Sequence, residues 1–84
     1  MYVIVVYDVD EERVSKINRL LKSYLIWIQN SVFEGIITDK LLEEMLSRVK
    51  KIMRGDDSFI VYKLKTKSLI ERQVFGKRVE TNII

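Results

Sequence analysis

Eighty-four residues with no cysteine and no histidine exclude a disulfide framework, a thiol nucleophile, zinc hydrolysis of the usual kind and histidine acid–base catalysis. A chain this short reads as one domain, residues 1–84, and it buries only about 60–65% of its unfolded surface, so a second copy of itself is the expected supplement to a thin core. The formal net charge of +3 is unevenly placed, with four acids between Asp8 and Glu12 and six Lys or Arg against two Glu from Phe59 onward; that polarity suits a phosphate-rich partner or, more commonly, a solvated basic face.

The first element is Tyr2 to Asp8, YVIVVYD, four β-branched residues between two tyrosines, the composition of a strand covered on both faces. Alternation sends Tyr2, Ile4, Val6 and Asp8 to one side and Val3, Val5 and Tyr7 to the other, so a carboxylate crowns an apolar face. Two readings of Asp8 follow. It is a metal ligand at the end of a core strand, or it is a helix N-cap in the box Asp8-x-x-Glu11, and the chemistry of the residues alone favours the cap.

The period then changes to three and four, with Val14, Ile17, Leu20, Leu21, Tyr24 and Leu25 apolar, which predicts a helix over about Glu11 to Tyr24. Arg13, Lys16, Arg19 and Lys22 make a basic stripe along its other side; such a stripe either meets phosphates or is simply solvated, and solvation is the ordinary case. Ile26 to Phe33 is extended, interrupted by Gln29, Asn30 and Ser31, which suit a bend, and Gly35 marks a bulge or a close backbone approach in a strand continuing to Ile37. Thr38 caps a second helix whose apolar stripe runs from Leu41 to Met53, with Gly55 as its C-terminal cap. A strand spans Ser58 to Leu64, a polar basic stretch covers Lys65 to Arg78, and Val79 to Ile84 forms a short terminal strand expected to dock on a partner subunit.

The order β-α-β-β-α-β with an extra C-terminal strand is the α+β, ferredoxin-like plan, two helices on one face of an antiparallel sheet. The other face, with Tyr2, Ile4, Val6 and Asp8, is then expected to meet a second subunit. No apolar stretch approaches the ~20 residues of a membrane-spanning helix, and the first strand has no basic flank before it, so the expected location is the cytoplasm.

Tyr7-Asp8-Val9, Gln29-Asn30-Ser31-Val32-Phe33-Glu34-Gly35 and Tyr62-Lys63-Leu64, in that order and spacing, resemble the CRISPR-associated protein two family, the small subunit of the spacer-acquisition machinery. The resemblance spans nearly the whole chain. It implies a ferredoxin-like homodimer whose C-terminal strand adds to the partner's sheet, and a CRISPR adaptation role as a nucleic-acid-binding scaffold that joins the integrase, CRISPR-associated protein one, and helps hold duplex DNA. Members are described as metal-dependent endonucleases of RNA or DNA, so the resemblance also implies phosphodiester cleavage, with Asp8 as catalytic residue and ligand of Mg²⁺ or Mn²⁺ at the dimer interface, and single-stranded RNA as a further partner beside duplex DNA. For the scaffold role, Arg13, Lys16 and Arg19 of the basic stripe and Lys77 and Arg78 of the basic C-terminal half are the expected phosphate contacts. The chain departs from the family at Trp27, where an arginine often stands; Trp27 is expected in the core or an interface. A ferredoxin-like regulatory dimer that binds a small ligand and lacks nuclease activity is the alternative, and the sequence leaves open whether the protein is an enzyme.

Overall fold

Where the backbone exchanges hydrogen bonds decides the architecture, and among the described residues four strands do so in one sheet. The computed structural model describes residues 1–76. The elements are β1 (Tyr2–Asp8), α1 (Glu11–Leu21), β2 (Ile26–Gln29), β3 (Val32–Ile36), α2 (Asp39–Ile52) and β4 (Ser58–Leu64), followed by a short 3-10 helix, Lys67–Leu69. The sheet order is β2-β3-β1-β4 with every neighbour antiparallel, the ferredoxin-like arrangement. The terminal strand expected at Val79 to Ile84 lies outside the described residues, as do Lys77 and Arg78. Among the described residues no helix is long and apolar enough to cross a membrane.

β1 is central because it is apolar on both sides. Val3, Val5 and Tyr7 are buried beneath the helices with Phe33, Ile17, Leu20, Leu21, Leu42, Met45 and Val49, and Tyr7 stacks on Phe33 and Phe59 with ring centroids 6.4 and 6.2 Å apart. The pleat sends Ile4 and Val6 to the opposite, open face, where register aligns Ile4 with Glu34 and Tyr62, and Val6 with Val32 and Ile60. That face keeps apolar side chains in contact with solvent, with Ile36 73%, Tyr62 54% and Ile60 48% exposed.

Local details correct several expectations. α1 ends at Leu21, not Tyr24: the N–H groups of Ser23 and Tyr24 donate to the carbonyls of Leu20 and Leu21 at 3.1 and 3.0 Å, a tightened last turn that delivers Leu25 to the core. Val14 and Leu41 sit at the margins of their helical stripes and remain exposed. The β2–β3 connection turns at Asn30, φ +44, a left-handed conformation that asparagine tolerates. The bulge lies in β2 between Trp27 and Gln29, whereas Gly35 serves close approach, since a Cβ there would stand 3.3 Å from Leu25 Cδ2. α2 is capped by Thr38, whose hydroxyl accepts the Leu41 N–H at 3.2 Å, but it ends at Met53 in extended conformation. Gly55, φ +54, instead sits inside the following turn, which Asp57 N–H closes on the Arg54 carbonyl at 3.0 Å. Trp27 is not in the core: it lies 39% exposed on edge strand β2, its Nε1 donating to the Asn30 carbonyl at 3.0 Å and Lys22 Nζ 5.8 Å from its ring centre.

Candidate functional site

Asp8 is the last residue of β1, paired with Ser58 of β4, and its side chain is exposed. α1 begins only at Glu11, beyond the reach of the β1–β4 pairing that ends at Asp8, so the capping position does not fall on Asp8. The cap is Asp10, whose Oδ1 accepts the Glu12 N–H at 3.2 Å. Among the described residues nothing donates a hydrogen bond to the Asp8 carboxylate, nor is it ion-paired.

The loops after β1 and α2 meet at this end of the sheet, and Asp8, Asp10, Asp56 and Asp57 share one shallow depression with Arg13 and Gly55. Asp57 is the hub of that junction. Its two oxygens accept Arg13 Nε at 2.6 Å and Nη2 at 3.0 Å, the Asp10 N–H at 2.9 Å and the Arg54 N–H at 3.0 Å. The Arg13 guanidinium, aided by the two backbone donors and opposed by partial burial, holds the Asp57 carboxyl well below its ordinary 3.8, and Asp57 in turn raises Arg13. A depressed carboxylate contributes stability above its unfolded value and loses it as pH falls through the folded one, so this junction is acid-labile.

The donor set limits the metal chemistry of one chain. Among the described residues no group of three or more His, Cys, Asp or Glu could hold an ion. What the residues fit is a magnesium-type cation taking one or two carboxylates plus water and phosphate oxygens; Asp8 and Asp56 are the carboxylates of the depression not committed elsewhere, and of the two Asp8 is the one fixed in the sheet.

The expected phosphate contacts divide. Arg13 spends its guanidinium on Asp57 and, through Nη1 at 2.9 Å, on Glu12. Lys16 and Arg19 are exposed and line a furrow between the helices with Leu20, Ser23, Arg48, Lys51 and Ile52. Arg48 and Lys51 are not legible as site residues in the sequence, because their pairing with Lys16 and Arg19 depends on how the two helices pack; the only sequence signal is their three-residue spacing on the polar side of α2.

A second cluster has no counterpart in the sequence reading. Glu34, 4% exposed, is a carboxylate on the open sheet face; its Oε2 accepts both the Tyr2 hydroxyl and Arg72 Nη2. Tyr2, expected to face a second subunit, is already buried by its own chain. The available signal is a lone acid inside an apolar strand, VFEGI.

Comparison with known proteins agrees with this geometry. The family described as "CRISPR associated protein Cas2" matches residues 1–72. A protein of Thermococcus kodakarensis named CRISPR-associated endoribonuclease Cas2 is 45% identical over 85 residues, spanning 100% of this chain and 95% of its own. A protein of the same name from Pyrococcus furiosus is also 45% identical over 85 residues, with the same coverage of 100% and 95%. Among solved structures, one described as the crystal structure of cas2 superposes with a TM-score of 0.87 at 47% identity, covering 93% of this chain and 88% of its own. The crystal structure of Streptococcus pyogenes Cas2 at pH 6.5 gives 0.79 at 29% identity, covering 90% and 100%. With a closely superposing fold, a family match over residues 1–72 and near-complete coverage, this chain belongs to the CRISPR-associated Cas2 family.

Proposed function

We propose that two copies of this chain form a cytoplasmic homodimer that joins the CRISPR integrase, holds duplex DNA during spacer acquisition, and cleaves phosphodiesters of RNA or DNA with Mg²⁺ or Mn²⁺ at Asp8. The observation that carries the catalytic part is the state of Asp8: an exposed carboxylate at the end of the central strand, released from capping by Asp10 and engaged by no described donor. It stands at the rim of the apolar open face, so apposing two such faces brings two Asp8 side chains toward one another. A divalent cation bound there would polarise a phosphodiester and lower the pKa of a bound water. The chain's own part is to supply the carboxylates and to fix them: the β1–β4 pairing holds the Asp8 backbone, and the Arg13–Asp57 junction holds the loops on either side of it.

The names of the relatives, endoribonucleases from several organisms, support this reading. They lend nothing to a small-ligand regulator. On the nucleic-acid side, Lys16, Arg19, Lys77 and Arg78 supply the phosphate contacts, and Arg13 contributes its charge while its donors orient the Asp57 junction.

The decisive comparison is wild type against Asp8→Asn on RNA and on DNA, with and without magnesium. Asn cannot offer an anionic ligand, so cleavage falls on the order of a hundredfold or more, while duplex and integrase binding persist. Full cleavage by a folded Asp8→Asn protein would assign the activity elsewhere.

A further inference from the structure

We propose that the furrow between α1 and α2 is a track for one phosphate backbone of a nucleic acid, walled by Lys16 and Arg19 on one side and by Arg48 and Lys51 on the other. The proposal rests on the nucleic-acid reading above and adds a second row of cations on α2, on the side of the helices away from the open sheet face.

Charge is the first argument. Two exposed cations from each helix converge on one furrow, floored by Leu20 and Ile52 and edged by the Ser23 hydroxyl, and no acid lines it. Elsewhere two arginines are ion-paired, Arg13 with Asp57 and Arg72 with Glu34, and Arg54 donates to the Lys51 and Met53 carbonyls. These four cations form no ion pair among the described residues. Four like charges left together repel one another in the free protein, and a polyanion that enters the furrow relieves that repulsion while releasing its own counterions.

Arg48 supplies the second argument, because it is held in place without being neutralised. Glu44 lies four residues before it, the spacing at which the two would ordinarily pair across a helical turn. Instead the Tyr24 hydroxyl stands between them, donating to Glu44 Oε2 at 2.6 Å and accepting Arg48 Nη1 at 2.8 Å, with the guanidinium carbon 5.7 Å from the ring centre. Tyr24 is therefore a positioning residue: it fixes the guanidinium and screens it from the acid that would consume it.

Spacing is the third. Three residues of helix advance about 4.5 Å and packed helices lie about 8–10 Å apart, so both rows reach oxygens of a single backbone. Among the described residues no aromatic side chain lines the furrow, and the nearby Tyr24 ring is taken up by Arg48. With no base-stacking platform the track reads backbone and not sequence.

The test is duplex binding by the full chain, followed by fluorescence anisotropy of a mixed-sequence DNA across a salt series. Arg48→Ala/Lys51→Ala and Lys16→Ala/Arg19→Ala should each lower the log–log salt slope by roughly one unit for every phosphate-binding cation removed, whereas Lys63→Ala/Lys65→Ala, which deletes the same charge elsewhere, should leave it unchanged. Tyr24→Phe, which leaves Glu44 free to pair with Arg48 across the helical turn, should weaken binding about threefold and lower the slope by up to about one unit, with the melting temperature unchanged. A wild-type slope in the Arg48/Lys51 variant, or an equal drop in the Lys63/Lys65 variant, would overturn the track. If only Lys16→Ala/Arg19→Ala then lowered the slope, the nucleic-acid reading would survive without the furrow; if wild type showed no salt-dependent binding, both would fall. Unchanged affinity in Tyr24→Phe would remove its positioning role.

Discussion

Glu34 shows how a single buried acid can be kept in an apolar surface. The carboxylate sits almost fully out of solvent, yet it accepts from a phenol and a guanidinium, so its desolvation is offset by two strong donors. The cost is transferred to Tyr2, whose pKa is pushed from 10.0 up to about 12, first by burial and then by its hydrogen bond to Glu34. A group whose folded pKa is raised contributes stability that is complete below its unfolded value and is lost as pH climbs through the folded one, so the Tyr2 contribution disappears between about pH 10 and 12. Phenolate absorbance should therefore show a late step approaching pH 12, and Tyr2→Phe should delete it. A wild-type titration whose late step survives in Tyr2→Phe would contradict the buried phenol. Arg72 gives the cluster a second role, since it ties the chain beyond β4 back across β3.

At the scale of the elements, what is legible in the sequence is what short-range chemistry decides. α2 is readable because its apolar period and its Thr38 cap agree, and that cap is testable: Thr38→Ala leaves the Leu41 N–H without its partner and should cost about 1 kcal/mol in chemical denaturation. No loss of stability would mean water replaces the hydroxyl at no cost. The double apolar character of β1 likewise announces a central strand. The cap of α1 is a different case, because what fixes it lies outside the local pattern. Asp8 and Asp10 are both plausible caps by composition, and the pairing of β1 with β4 as far as Ser58 decides between them, because the helix then starts only at Glu11 and Asp10 takes the capping position. At Gly55 the distant part is Arg13, which holds Asp57: beyond the Met53 cap Asp57 accepts the Arg54 N–H in the loop junction, and the glycine's left-handed φ serves that turn. The Glu34 cluster and the Arg48–Lys51 row join residues 32 to 38 positions apart, or on separate helices, and no pattern within one element encodes them.

The whole molecule is lopsided: one sheet face lies under two helices, and the other leaves Ile36, Ile60 and Tyr62 in water beside the half-buried Ile4 and Val6. A contiguous apolar face on so small a chain is an interface suited to an apolar partner of the same shape, and a second copy related by a twofold axis presents that shape by construction. The helical furrow then stays accessible, because it does not lie on the sheet face, while the acidic loop end stands at the rim of the apposed faces. Sedimentation should find a dimer at micromolar concentration, and Tyr62→Asp, which places a charge at the centre of the apposed faces, should weaken it by roughly a hundredfold or more. The same variant separates the two functions. If each cation needs an Asp8 from both copies, Tyr62→Asp should lose cleavage in step with dimer mass although its own Asp8 is untouched, while low-salt binding to DNA through Lys16, Arg19, Arg48 and Lys51 should persist with a salt slope per chain like that of wild type. A folded monomer that still cleaves would show that one Asp8 is sufficient, and a wild-type protein that is monomeric at micromolar concentration would remove the twofold site.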